Sequence, residues 1–366
     1  MRALLIGGTG PTGPHIAAGL AQRGAEVTIL HRGEHEIDEV AEYEHLHADP
    51  HFAEDVEEAL SSRRFDIAIV TYGRLRHLLP IVASRADRIV SVGGTVYARQ
   101  RLTRAFTEEA PRDTPTTLIK RIVETENAIF AEADERGVAL THIRYPYLYG
   151  PRQLAPREWS IIRRILDGRR TLPIIDGGLS REARAYAANA AHGVLLAVDH
   201  EQSAGRIYHI ADETTPTDAE RARAIAAVMG VELQLVNYPR ELPAAGSFWF
   251  AARTIGASEA EYPVTDHTEL DLSRARRELG YTDLVGYDEA IQETVEWYLA
   301  HPLERGGADE MRLGDPFDYE GEDRYHRALQ EFASSLRRVP IRSTQVRHAY
   351  DHPSSRVAQP VEGTRS

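Results

Sequence analysis

RALLIGGTGPTGPHIAAGLAQRGAEVTILHRG, residues 2–33, is the stretch whose reading decides the fold. Residues 2–6 are a short apolar run. They lead into Gly7-Gly-Thr-Gly10-Pro11-Thr12-Gly13, and an apolar-periodic stretch from about His15 to Gln22 closes at Arg23-Gly24, with Gly24 placed as a helix cap. Residues 25–30 (AEVTIL) form a β-branched second strand, so the unit is strand, glycine turn, helix, strand over about thirty residues. Gly7, Gly10 and Gly13 stand in G-x-x-G-x-x-G spacing. Glycines there permit a tight turn and let backbone approach a pyrophosphate, while the following helix supplies N–H groups and the positive end of its dipole. Gly7, Gly10, Pro11, Thr12 and Gly13 are therefore the expected phosphate-binding residues of a dinucleotide.

At the end of the second strand a carboxylate would accept a hydrogen bond from the adenosine ribose 2′-hydroxyl. That place is held by His31-Arg32-Gly33. A guanidinium pairs with a 2′-phosphate, so NADP(H) is favoured, with NAD(H) as the alternative because Glu34 and Glu36 lie close by. Asp49, after a third strand at EHLHA, is placed to touch adenine or to cap a turn.

Strands follow at 65–70, 87–92 and 138–144, separated by helices at about 52–62, 74–84 and 115–136. This alternation predicts an α/β fold: a Rossmann-type, doubly wound parallel sheet over residues 1–150, with some later segments returning to it. Residues 151–302 read mainly as a smaller C-terminal substrate lobe, with strands at 171–175 and 205–210 and a helix over 287–300 stopped by His301-Pro302. Residues 303–366 read as a tail with one helix at 322–338 and partly disordered sequence beyond it.

The net charge of −13 argues against nucleic acid and for a small-molecule substrate. No apolar run approaches the roughly 20 residues that span a bilayer. A membrane role is not expected, and the absence of a signal peptide points to the cytoplasm. With no cysteine, disulfides and thiolate chemistry are excluded. His45, His47 and His51 read as surface residues of a loop without helical metal-ligand spacing, so no metal is expected. Of the 43 basic residues, one alone is lysine: Lys120.

With these residues in hand, the chain resembles the short-chain dehydrogenase/reductase superfamily, in its extended NAD-dependent epimerase/dehydratase branch. It looks especially like the atypical subgroup that includes chloroplast stem-loop RNA-binding proteins. The likeness rests on LLIGGTGPTG, EVTILHRG, SVGGTVYA (91–98), RYPYLYGPRQ (144–153) and LDLSRARRELGY with EAIQETVEWYL (270–299), covering about residues 1–300. It implies that Thr71-Tyr72-Gly73 and Tyr145-Pro146 line the nicotinamide end, and that the protein is a homodimer through the helices at 74–84 and 115–136. It also exposes departures. The family's Ser or Thr, four residues before Tyr97, is Gly93, and in the family's Tyr-x-x-x-Lys the tyrosine place is Thr116 while Lys120 keeps the lysine place.

An ammonium at Lys120 in a chain that uses arginine everywhere else implies a chemical need, and the resemblance implies that it anchors the nicotinamide ribose. Thr116 ionises far above a phenol's pKa of about 10 and cannot be the acid. Lys120, Thr95 and Thr116 are the catalytic candidates, with a phenol from Tyr72, Tyr97, Tyr145 or Tyr147 or the side chain of Arg152 or Glu158 as other sources of a proton. Tyr97, Tyr147 and Arg152 are candidate substrate contacts. The arginines at 152, 157, 163, 164, 169 and 170 mark either a site for an anionic substrate or a solvated helix face.

The expected function is an NADP(H)-dependent oxidoreductase or epimerase acting on a small carbonyl or carbohydrate-like substrate. The alternatives are a net non-redox epimerisation, elimination or rearrangement using the bound cofactor, and a non-enzymatic cofactor sensor or RNA-binding protein.

Overall fold

The computed structural model describes residues 1–71, 75–97, 104–112, 117–238, 267–313 and 317–341. Seven parallel strands make one sheet: β1 (Arg2–Ile6), β2 (Glu26–His31), β3 (Glu44–His47), β4 (Phe65–Val70), β5 (Ala86–Gly94), β6 (Ala139–Tyr145) and β10 (Ile207–His209), in the spatial order β10-β6-β5-β4-β1-β2-β3. The order reverses between β1 and β4, the switch point at which open α/β sheets bind ligands outside the carboxyl ends of their strands.

Both faces of the sheet are covered, which is why its strands are apolar at successive positions. Ala3, Leu5, Ile67 and Ile69 point to one face, against α1 (Gly13–Gln22), α6 (Ala187–Asp199) and α8 (Ser273–Leu279). Leu4, Ile6, Ala68 and Val70 point to the other, against α2 (Ala53–Leu60), α3 (Leu75–Ala83) and α4 (Thr117–Arg136). Each fully buried Leu or Ile contributes about 1.5–3 kcal/mol, so the alternation fixes the register as well as the layers. Gly24, with φ +74°, closes α1 through its N–H to the Ala21 carbonyl, as its position in the sequence predicts.

A second cluster is built from α5 (Arg157–Leu166), α7 (Asp218–Val228) and α9 (Tyr287–Ala300), with β8 (Thr171–Ile175) paired to β11 (Gln234–Tyr238). A short ladder of β7 (Tyr147–Tyr149) with β9 (Arg184–Tyr186) adjoins it. The first compact unit runs to Asp318, so the lobe extends past the expected tail boundary at 303. The reason is packing. α10 (Ala308–Met311) carries Glu310, which accepts a hydrogen bond from the Trp159 indole at 2.9 Å, and Leu313 is buried in the lobe's core.

A second unit begins at Tyr319 and contains α11 (Tyr319–Leu336), on which Phe332 and Leu336 are exposed. Among the described residues no helix is long and apolar enough to cross a membrane.

Candidate active site

The glycine turn sits at the carboxyl end of β1. Gly7 adopts φ +92° and its N–H donates to the Leu30 carbonyl at 3.1 Å, locking the turn to β2. A Cβ on Gly13 would stand 1.9 Å from the Gly8 carbonyl oxygen, so only glycine lets α1 begin this close to the strand. Next to Gly10 such an atom would meet only the Gly7 oxygen, at 3.8 Å, which leaves room above the turn for another group to approach. Thr12 caps α1 without a side-chain hydrogen bond. In the first turn the Gly13 N–H donates to the Gly10 carbonyl at 3.1 Å and Pro14 has no N–H, so what the turn offers a ligand is chiefly the positive end of the helix dipole. From the neighbouring strand end, the Thr71 hydroxyl reaches the Ile6 and Gly7 carbonyls at 3.0 and 3.2 Å and fixes the turn from below. The cradle fits a dinucleotide pyrophosphate.

Just past the end of β2, Arg32 pairs with Glu34 at 2.8 Å, both exposed. Asp49 accepts from the backbone N–H and Nδ1 of His51 at 2.9 and 2.7 Å, and these bonds hold its carboxyl below the usual range; it caps a turn. Of the histidines read as surface residues, His45 is shielded while His47 is exposed as expected. His45 and His47 lie on strand β3, where the parallel register sets His31 opposite His47 and a two-residue repeat puts His45 on the same face. His31 Nε2 is 2.7 Å from His45 Nδ1, and the Gly33 N–H points at His31 Nδ1 at 3.1 Å. His31 is therefore a buried member of a histidine group, and burial pushes its pKa down.

At the end of β5 the hydroxyl that the resemblance calls for has no room. A Cβ on Gly93 would lie 2.8 Å from both Cε1 and Nε2 of His142, whose ring fills the space beside β5 and whose Nδ1 bonds the Ser91 hydroxyl at 2.8 Å. Thr95, half-buried, follows on the same segment. Tyr97 is 3% exposed and enclosed. Its hydroxyl donates to the Thr107 carbonyl at 2.9 Å, accepts from Arg144 and lies 2.8 Å from His209 Nε2; burial pushes its pKa up to about 12 despite the Arg144 charge. It serves a buried network rather than an open substrate face. Glu126 on α4 anchors that network by binding the Arg144 guanidinium at 2.7 and 2.8 Å. Burial would raise the Glu126 carboxyl, but hydrogen bonds and the Arg144 charge hold it down to about 2.

Tyr145 is also committed, its hydroxyl donating to the Ala190 carbonyl at 2.7 Å and its pKa raised by full burial. Pro146 is half-buried beside it. Lys120 is exposed on the second turn of α4. Tyr72, Gly73 and Thr116 lie outside the described residues.

In the lobe, the arginines of α5 do not form a solvated face. Arg157, Arg163 and Arg164 are buried. Arg163 pairs with Asp167 at 2.8 Å and with Glu310. Arg157 lies 3.4 Å from Glu182 and stacks its guanidinium 3.6 Å over the Tyr147 ring, which leaves Tyr147 partly covered. Glu158 is bound by Arg184 at 2.6 Å, in a closed ion pair unsuited to proton transfer. Arg152, with φ +61°, pairs with Glu39 across the chain. Sequence reasoning missed Arg184 and Arg221. Arg221 is buried 5.8 and 6.0 Å from the Tyr149 and Tyr287 ring centres, so its charge meets aromatic faces. The available signal was the presence of charged residues among the apolar ones of β9 and α7.

No protein-family model matches the chain. Among solved structures it superposes on the UDP-glucose 4-epimerase of Thermus thermophilus in complex with NAD, with a TM-score of 0.66 and 19% identity, covering 82% of this chain and 99% of that one. The dTDP-glucose 4,6-dehydratase DesIV of Streptomyces venezuelae, with NAD bound, gives 0.64 and 20% over 82% and 97%. The chain shares the fold of these two enzymes. Two curated proteins are similar in sequence. One is the uncharacterised protein y4nL of Sinorhizobium fredii, 29% identical over 205 residues, which span 52% of this chain and only 56% of that protein. The other is the chloroplast stem-loop binding protein of 41 kDa b of Arabidopsis thaliana, 26% identical over 259 residues, 66% of this chain and 67% of that one.

Proposed function

We propose that the chain is an NADP(H)-dependent oxidoreductase or epimerase of the extended short-chain dehydrogenase/reductase type, acting on a carbohydrate-like substrate that carries an anionic group. The observation that carries this reading is the glycine cradle: a first helix started against Gly8 by Gly13, with its N–H groups uncapped by side chains and open space above Gly10. When bound, the nicotinamide supplies or accepts a hydride at the substrate carbon. The chain's own residues bind, orient and move the accompanying proton. Lys120 anchors the ribose, and Thr95 with Thr116 positions the substrate oxygen or a water. Tyr97 and Tyr145 hold their hydroxyls in fixed hydrogen bonds and do not take part in proton transfer. Arg32 meets the 2′-phosphate after exchanging its exposed partner Glu34, since exposed pairs are worth about 1 kcal/mol or less. Tyr147 and Arg152 are the lobe residues that contact the substrate. A homodimer through α3 and α4, which pack side by side, completes the reading.

The test is calorimetric titration with NADPH and NADH, followed by absorbance at 340 nm with a panel of nucleotide sugars and small carbonyls. NADPH binding that is at least tenfold tighter than NADH supports the cofactor assignment. Turnover lost by about 10²-fold or more in Lys120→Met supports the site. No response to either nucleotide overturns both. Product formed without net NADPH consumption selects epimerisation, the chemistry of the epimerase whose fold this chain shares.

A further inference from the structure

Four ligand atoms converge at one edge of the sheet, on its last two strands β2 and β3. His31 comes from the last position of β2, His45 and His47 from alternate positions of β3, and Glu36 from the connection between them. One ligand atom from each lies within 4.8 Å of all the others. The separations include 2.7 Å from His31 Nε2 to His45 Nδ1, 3.2 Å from His47 Nε2 to Glu36 Oε1, and 3.8 and 3.9 Å from Glu36 to His31 and His45. Four ligands held at about 2.0–2.1 Å around a tetrahedral ion stand about 3.3 Å apart, in the middle of that range. We propose that His31 Nε2, His45 Nδ1, His47 Nε2 and a Glu36 carboxylate oxygen bind one divalent first-row transition metal ion, zinc before the others, in a closed tetrahedral site.

Several features separate this group from an accidental cluster. His45 already directs Nε2 at the Val40 carbonyl at 2.8 Å, which fixes its tautomer with the Nδ1 lone pair facing the group; metal-binding histidines are oriented by such a second bond. His31 and His45 are shielded while His47 and Glu36 are open to solvent, giving a fixed floor and an accessible mouth. A carboxylate among three imidazoles suits a cation and repels a phosphate, so the group is not a second 2′-phosphate site. Three nitrogens and one oxygen suit zinc and its neighbours over calcium or magnesium. Four protein ligands leave no open position, which makes the role structural: the ion ties β3, paired among the described residues only with β2, to the connection before it.

Loading has one local consequence. His31 Nε2 must give up its proton, which passes to Nδ1, so the Gly33 N–H turns away from that nitrogen. Gly33, with φ +77° and no side chain, is the residue that permits this. Metal occupancy is thereby felt next to Arg32.

The experiment uses the full chain without a histidine tag, stripped with chelator and titrated with cobalt(II), then with zinc. The expected result is the intense visible absorption of tetrahedral cobalt at one ion per chain, abolished by zinc, with a rise in Tm on loading. His47→Ala and Glu36→Gln, both at the solvent-facing mouth and so compatible with folding, weaken binding by about tenfold or more, whereas His51→Ala binds as the parent does. Absence of the tetrahedral spectrum overturns the proposal. So does an affinity unchanged in both mouth variants, which would leave the four side chains as a hydrogen-bonded group alone.

Discussion

Gly93→Ser restores the residue type that the family resemblance calls for, and it is expected to damage the protein. The new Cβ would lie 2.8 Å from Cε1 and Nε2 of His142, about 0.7 Å inside ordinary carbon contact of about 3.5 Å. His142 has little room to retreat. Its Nδ1 is held by Ser91 at 2.8 Å, the Phe130 ring stands edge-on with centres 6.3 Å apart, and Glu126 lies 3.5 Å from Nε2. Overpacking of this kind costs about 1–3 kcal/mol, which is a fall of a few degrees or more in Tm for a chain of this size. The discriminating measurement is a double-mutant cycle by urea denaturation with His142→Ala. Once the ring is gone the serine fits, so adding it to His142→Ala should cost close to nothing, and the coupling should be about 1 kcal/mol or more. Effects that simply add, within about 0.5 kcal/mol, would show that the ring does not hold the space. If Gly93→Ser were as stable as the parent and more active, the account of this site would fail outright.

Gly13→Ala should abolish calorimetric binding of the dinucleotide, since the added carbon would stand 1.9 Å from the Gly8 oxygen and backbone cannot step aside as a side chain can; binding within twofold of the parent would refute the cradle. His209 is buried against Arg144, and burial first, the guanidinium second, push its pKa down to about 4. The unfolded chain takes up that proton near pH 6.5 and the folded chain only near 4. Stability should therefore fall as pH drops through that window, by up to about 3 kcal/mol from this one group at 1.36 kcal/mol per pH unit. Urea midpoints measured from pH 7 to 4 check it, and a His209→Gln variant should show a shallower slope. Arg184→Met leaves the Glu158 carboxylate buried without its partner and should cost about 3–5 kcal/mol, while Glu158→Gln in the same chain should recover part of it. Equal stability of the single and double variants would refute the pairing.

The repeating physics of the backbone was legible in the sequence. The run of β-branched and apolar residues at 65–70, the glycines at 7, 10 and 13, and the cap at Gly24 act over a few residues, so strand, turn and helix could be placed where they occur. Distances across the chain were not legible. Arg157 and Arg163 look like a solvated helix face until Glu182 and Glu310 are brought to them. His45 and His47 carry no helical metal spacing, because their partner is His31 on the neighbouring strand and their repeat is that of a pleat. Gly93 reads as a lost hydroxyl, and only the register that sets β5 beside β6 shows that an imidazole fills the space. Local sequence determined the elements and the cradle, because propensity and turn chemistry act between near neighbours. Burial of charge, the histidine group and the occupant beside Gly93 were decided by tertiary structure, because each depends on which distant residues the parallel sheet places side by side.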